Sequence, residues 1–202
     1  MSAGRLRFGP LERAVHISID MQLLFAEGTE WASPAVFDIL PVVERLCAHA
    51  PGRLIFTRFI TPETIEDAPG QWKQYYRRWK NVLASRLDPG TFDLLPELRR
   101  FTPAAPAVDK YVHSGFANPA LEKELDRLDA AAVILTGVET DVCVLATALT
   151  AVDRGYRTVL VSDAITSSVR ASHDACLESV FSRYDEQVEI VDSATVLAEW
   201  TP

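Results

Sequence analysis

AAVILTGVETDVCVLATALTAVDRGYRTVLVSD occupies residues 131–163, and its reading decides the fold. AAVILTG (131–137) and RTVLVSD (157–163) are near-continuous apolar runs rich in Val, Ile and Leu. Strands of a parallel sheet, covered on both faces, require such runs. The segment between them, Asp141 to Arg154, has a helical pattern and is stopped by Gly155. Strand, helix, strand within about thirty residues is the unit from which parallel α/β sheets are built.

Working outward, further runs fit the same scheme. AVHISID (14–20) is apolar and ends in a carboxylate; RLIFTRF (53–59), the short VDK (108–110) and VEIV (188–191) follow. Helical patterns lie between them: Ser33-Pro34 to about His49, Asn118-Pro119 with Leu121, Leu125 and Leu128 on one face, and 171–184. The expectation is a three-layer α/β/α, doubly wound, mainly parallel sheet of about six strands, with residues 1–202 forming one domain. FTPAAPA (101–107) reads as a Pro-rich loop feeding a strand, not as a domain boundary.

Composition narrows the function. The 202 residues are 48% hydrophobic and 24% charged, the balance of a globular protein with a real core. The net charge of −8 repels nucleic acid and anionic membrane, so neither is expected as a partner. No apolar run approaches the ~20 residues of a membrane span. The first residues, MSAGRLRFGPLERA, lack the apolar stretch of a signal peptide. Three widely spaced cysteines, Cys47, Cys143 and Cys176, argue against a disulfide framework and fit a reducing, cytoplasmic setting.

In doubly wound sheets the ligand sits beyond the carboxyl ends of the strands. Three chemically useful side chains follow strand ends here: Asp20, Lys110 and, in the first turn after 131–137, Cys143. A thiol at a helix start is expected to ionise more readily, and a neighbouring lysine favours the thiolate. Asp20 can take the thiol proton and return it to a leaving nitrogen. Singly, each has an ordinary alternative: a small core residue, a turn or cap residue, a solvated amine. Their conjunction points to nucleophilic catalysis.

Three segments together resemble the isochorismatase-like cysteine hydrolases. ISIDMQLLF resembles that family's first motif, DKYVHSGF its lysine motif, and TGVETDVCVLATALTAVDRGYRTVLVSDA its cysteine motif, over roughly residues 14–165. The resemblance implies an Asp20–Lys110–Cys143 triad, a homo-oligomer (dimer or tetramer) and a small-molecule amide substrate. It also implies a cis peptide between Val138 and Glu139, so that the backbone N–H groups of Glu139 and Cys143 form an oxyanion hole. Possession of Cys143 favours the amidase branch over vinyl ether cleavage. Nicotinamidases of the family carry an Asp-x-His metal cluster; here the matching region reads TRFITPE, and His16, His49, His113 and His173 show no ligand spacing. No metal or other cofactor is therefore expected.

Further candidates are weighed with their structural alternatives. Trp72, Tyr75, Tyr76 and Trp79 recur at i, i+3, i+4 and i+7, either as a buried aromatic stripe or as a wall over the site or an interface. Trp79 and His113 are taken as pocket candidates. Phe25 and Phe116 follow catalytic motifs and line an apolar pocket or the core. Arg58 grips a substrate carbonyl or carboxylate, or pairs with an internal acid. Gln22 holds substrate or a neighbouring loop. The leading expectation is hydrolysis of a C–N bond in a small amide or ureide through a Cys143 thioester. Alternatives are vinyl ether hydrolysis, a non-catalytic scaffold, and a nucleotide-binding or oxidoreductase domain; the last lacks a GxGxxG after the first strand.

Overall fold

A computed structural model describes residues 5–202. The first four residues, which the single-domain and leader-free expectations include, lie outside the described residues. In chain order the regular elements are β1 (Ala14–Ile19), α1 (Leu23–Ala26), α2 (Ala35–His49), β2 (Leu54–Phe59), α3 (Trp72–Arg78) and α4 (Pro96–Arg99). They continue with β3 (Ala107–Lys110), α5 (Pro119–Arg127), β4 (Ala132–Val138), α6 (Leu145–Asp153), β5 (Arg157–Thr166), α7 (Arg170–Ala175), β6 (Val188–Val191) and α8 (Ser193–Glu199).

The six strands form one sheet in the order β3-β2-β1-β4-β5-β6, every neighbouring pair parallel. Strand order reverses between β1 and β4, which is where such a sheet opens a crevice at its carboxyl edge. The crossover from β1 to β2 moves one way along the sheet and that from β4 to β5 the other. Right-handed connections therefore put α2 and α6 on opposite faces. α8 packs beside α2, and α6 packs beside the short 3-10 turn Gly115–Ala117 that precedes α5.

Burial follows strand position. All of β1 and β4 is buried, in keeping with their near-continuous apolar runs, whereas the edge strands β3 and β6 expose part of their length. β1 and β4 also approach unusually closely at their ends. Gly137 has φ +106, and a Cβ built on it would stand 2.0 Å from the Ile19 carbonyl oxygen. Only glycine fits both the backbone angle and the gap.

Two expected helices are less regular than their patterns. The Asp141–Arg154 helix is α only from Leu145; before it, Thr140–Val144 is a π-helical turn. Its cause is visible at Glu139, whose carbonyl accepts from both Val142 N–H (3.1 Å) and Val144 N–H (3.0 Å), widening the first turn. The 171–184 helix breaks into α7, a π turn over Cys176–Val180 and a 3-10 turn over Phe181–Tyr184. The short α1 and α4 and the terminal α8 carry too few periods to stand out in sequence. No helix among the described residues is long and apolar enough to cross a membrane.

Candidate active site

Three strand ends meet at the crevice. Asp20 follows β1 with a left-handed backbone, φ +53. Aspartate tolerates that region better than most residues, but holding it there takes support. Thr57 on β2 provides it: its carbonyl accepts from Asp20 N–H (3.2 Å) and its hydroxyl donates to Asp20 Oδ1 (2.7 Å). Lys110, the last residue of β3, sends its ammonium under the crevice. Nζ stands 2.7 Å from Asp20 Oδ2 and donates to the Val112 carbonyl (3.2 Å) and to Cys143 Sγ (3.2 Å). The same ammonium lies over the Phe59 ring, 4.5 Å from its centroid. Cys143 sits in the π turn after β4, so acid, amine and thiol converge on one buried point.

Electrostatics here differ from the sequence expectation for the thiol. Burial pushes the Cys143 thiol up; Lys110 opposes this and Asp20 adds to it. The expectation of a readily ionised thiol is corrected: the desolvation of a residue only 4% exposed outweighs the ammonium beside it. For Lys110, burial pulls the other way, but the Asp20 and Cys143 charges prevail and hold the amine above its ordinary range. The resting arrangement is thus a lysinium–carboxylate pair beside a thiol.

The turn carrying Cys143 is anchored from behind. The Val138–Glu139 peptide is cis, as the family resemblance implies. The Glu139 side chain turns to accept from Ser168 N–H (2.9 Å), Ser167 Oγ donates to Asp141 Oδ1 (2.6 Å), and Thr140 Oγ1 meets His173 Nδ1 at 2.9 Å. Thr140 and His173 are both buried, and burial lowers the His173 pKa, favouring the neutral ring. These supports come from the β5–α7 connection and from α7 itself, over twenty residues away in sequence, and no local pattern marks them.

A cavity of about 190 Å³ opens over the sulfur. Phe25, Trp79 and His113, three of the sequence candidates, line it together with Cys143 and Glu139. Trp31, Phe59, Tyr75 and Val142 complete the apolar wall, and Glu30, Ala32 and Ser168 the remainder. Trp31 is the hub: its ring lies 5.9 Å from Phe25, 5.8 Å from Phe59, 6.0 Å from Tyr75 and 6.4 Å from Trp79. Trp72 stands behind His113 at 4.8 Å, and Tyr76 is fully buried. The aromatic stripe of α3 therefore serves as both core and wall. Burial, with a smaller contribution from Lys110, lowers the His113 pKa, so this ring is neutral at pH 7.

Three candidates stand outside the lining. Arg58 is engaged by Asp109 through Nε–Oδ1 (2.7 Å) and Nη2–Oδ2 (2.9 Å), its neighbour on β3. Phe116 stacks with Tyr156 at 6.0 Å under the Arg154 guanidinium. Gln22 is wholly buried and holds a loop: Oε1 accepts from Phe59 N–H (2.6 Å), and Nε2 donates to Phe92 O (2.8 Å) and Phe59 O (3.2 Å). Among the described residues, no three or more His, Cys, Asp or Glu side chains are grouped so as to hold a metal ion.

The model of the isochorismatase domain family matches residues 14–194. Isochorismatase domain-containing protein 2 of Bos taurus is 39% identical over 88 residues, 43% of this chain and 41% of that protein. Its Xenopus laevis counterpart is 32% identical over 89 residues, with the same shares. The matched stretch thus spans less than half the length of these curated relatives. A cysteine hydrolase from Pseudomonas syringae pv. phaseolicola 1448A superposes with a TM-score of 0.82 at 27% identity, covering 98% of each chain. N-carbamoylsarcosine amidase from Thermoplasma acidophilum shares the fold, with a TM-score of 0.73 at 20% identity over 90% of this chain and 97% of its own. Since the family match runs from the first residue of β1 past the end of β6, the chain belongs to the isochorismatase domain family.

Proposed function

We propose that this chain is a cysteine hydrolase that cleaves the C–N bond of a small amide or ureide through a thioester on Cys143. The observation that carries the reading is Lys110 Nζ 2.7 Å from Asp20 Oδ2 and 3.2 Å from Cys143 Sγ, with Cys143 lining a cavity. The whole chain, as one domain, supplies the site, and the protein works in the cytoplasm as a homo-oligomer. The single domain rests on the strand and helix pattern of the sequence, the cytoplasmic setting on its three widely spaced cysteines, and the oligomer on the family resemblance alone.

The reaction runs in two halves. With substrate bound, the Cys143 proton passes to Asp20 as the sulfur attacks the carbonyl carbon. A resting thiol rather than a thiolate suits this step: ionisation is coupled to attack, and Lys110 stabilises the negative sulfur while it lasts. Charge then develops on the carbonyl oxygen, and the Glu139 and Cys143 backbone N–H groups are assigned to receive it. Asp20 returns the proton to the leaving nitrogen, the C–N bond breaks, and ammonia or an amine departs. Water then attacks the thioester, leaving its proton on Asp20. The C–S bond breaks, the acid is released, and the sulfur recovers its proton. The sum is amide plus water to acid plus amine.

The lining supports an amide over the vinyl ether alternative. Isochorismate-type substrates are dicarboxylates, and no arginine or lysine lines the cavity; the charged lining groups are Glu30 and Glu139. A dicarboxylate would meet acids of its own sign in this lining, and the nearby Lys110 ammonium is already paired with Asp20. The test is a panel of small amides and ureides with ammonia release as readout, followed by intact mass spectrometry of quenched enzyme. An acyl adduct on the Cys143-containing peptide is expected. Ammonia release that survives replacement of Cys143 overturns the mechanism.

A further inference from the structure

We propose that the open side of the cavity is a site for an alkylammonium group, so that the amide this enzyme takes carries a positive charge at the end remote from its carbonyl. This rests on the amidase reading above for the reacting end of the substrate, but not for the charged end.

The cavity has a closed floor and an open rim. Cys143 and Lys110 are buried, while Glu30 is exposed and lines the same space. Behind the lining, against the Cys143 sulfur, one cation is already present: Lys110, balanced by Asp20 and over the Phe59 ring. The rim has the complementary character without an occupant. The Glu30 carboxylate accepts from the neutral Asn81 amide (2.8 Å), and no basic side chain of the described residues is within ion-pair distance of it. Asn81 Oδ1 in turn accepts from Arg86 Nη1 (3.2 Å), so that guanidinium is held one amide away from the Glu30 carboxylate and not against it.

Beside it stand the rings grouped on Trp31. Aromatic faces attract cations through their quadrupole, and several faces around one cavity form the arrangement that recognises alkylated ammonium groups. Arg78, outside the lining, stands over Trp79 at 5.1 Å, and Lys110 stands over Phe59. Among the described residues no protein cation stands over Phe25, Trp31 or Tyr75. Glu139 also lines the cavity, with its carboxylate engaged by Ser168 N–H (2.9 Å), and His113 is neutral. An ammonium at the rim therefore meets rings, the Glu30 carboxylate and no basic lining group; a carboxylate there meets repulsion from Glu30.

Three amides of matched length test this: 4-(trimethylammonio)butanamide, its uncharged tert-butyl isostere 5,5-dimethylhexanamide, and the carboxylate analogue glutaramate. Binding to the Cys143→Ala protein is measured by calorimetry and tryptophan fluorescence, and kcat/KM on the unmodified protein. The cationic amide is expected to bind roughly tenfold more tightly than its isostere, and glutaramate most weakly. Glu30→Gln, a change on the surface, is expected to bring the first two within about threefold of each other. Equal or tighter binding of the isostere, or of glutaramate, overturns the cation site, and a preference undiminished by Glu30→Gln overturns the role of Glu30. Turnover without charge preference removes this inference and leaves the amidase reading standing. Charge-selective binding with no turnover of any amide does the reverse.

Discussion

The Lys110 ammonium and the Asp20 carboxylate meet at 2.7 Å with both side chains wholly out of solvent. Neither charge is tolerable there alone. Removing one partner of such a pair strands the other, at a cost of about 3–5 kcal/mol, whereas removing both can be nearly neutral. Asp20→Asn and Lys110→Met are each expected to lose about that much stability, and the double variant distinctly less than the sum. Urea unfolding in a double-mutant cycle measures the coupling. All three variants are expected to lose turnover, since a restored fold does not restore the proton acceptor or the charge beside sulfur.

Cys143 is expected to be the one cysteine whose loss abolishes activity: Cys143→Ser or Cys143→Ala lowers kcat by about 10³-fold or more. Iodoacetamide should reach Cys143 through the cavity before the buried Cys47 and Cys176. Because burial raises the Cys143 pKa, its alkylation without substrate should accelerate with pH throughout the neutral range and beyond. Peptide mapping after timed labelling at several pH values checks both points. A rate already at its plateau under mildly acidic conditions would mean a resting thiolate.

Exhaustive chelation is expected to leave the rate unchanged, because no three or more His, Cys, Asp or Glu side chains of the described residues are grouped as a ligand set. Activity lost to chelator and regained with zinc or iron would contradict this.

Gly137 is a structural requirement of the site. Gly137→Ala would set a methyl 2.0 Å from the Ile19 carbonyl at a backbone angle alanine resists. A loss of about 3 kcal/mol or more, or failure to fold, is expected. Gly52→Ala is the control: nothing lies within 4 Å of its Cβ position, so a change within about 0.5 kcal/mol is expected. Denaturant melts of the two side by side give the comparison.

Acid stability should depend on His16, in the middle of β1. It is fully buried, its Nε2 meets Thr136 Oγ1 at 2.7 Å, and burial lowers its pKa from 6.5 to about 3. The folded-state pKa lies below the unfolded one, so the unfolded chain takes up the proton first. The neutral ring's contribution is complete above pH 6.5 and is lost as pH falls from 6.5 towards 3, with a slope approaching ~1.4 kcal/mol per pH unit. His16→Gln should flatten that slope. Thermal melts from pH 7 to pH 4 measure it, and equal slopes in the two proteins would contradict the assignment.

Much of this architecture is legible in the chain. β1 and β4 announce themselves because a strand covered on both faces needs apolar residues at every position, a signal contained within seven residues. Asp20, Lys110 and Cys143 are findable because each directly follows such a run, and a parallel sheet brings all its carboxyl ends to one edge.

What the tertiary structure decided are relations between distant segments. Arg58 is engaged by Asp109, fifty-one residues on, because parallel pairing of β2 and β3 sets them side by side. Trp31 and Glu30 enter the cavity wall from the loop after α1, a stretch with no periodicity to single it out. The direction of the Cys143 pKa is likewise a tertiary quantity. Position at a helix start argues for ionisation from a few local dipoles, but desolvation depends on everything packed around the sulfur, and in this fold the packing prevails.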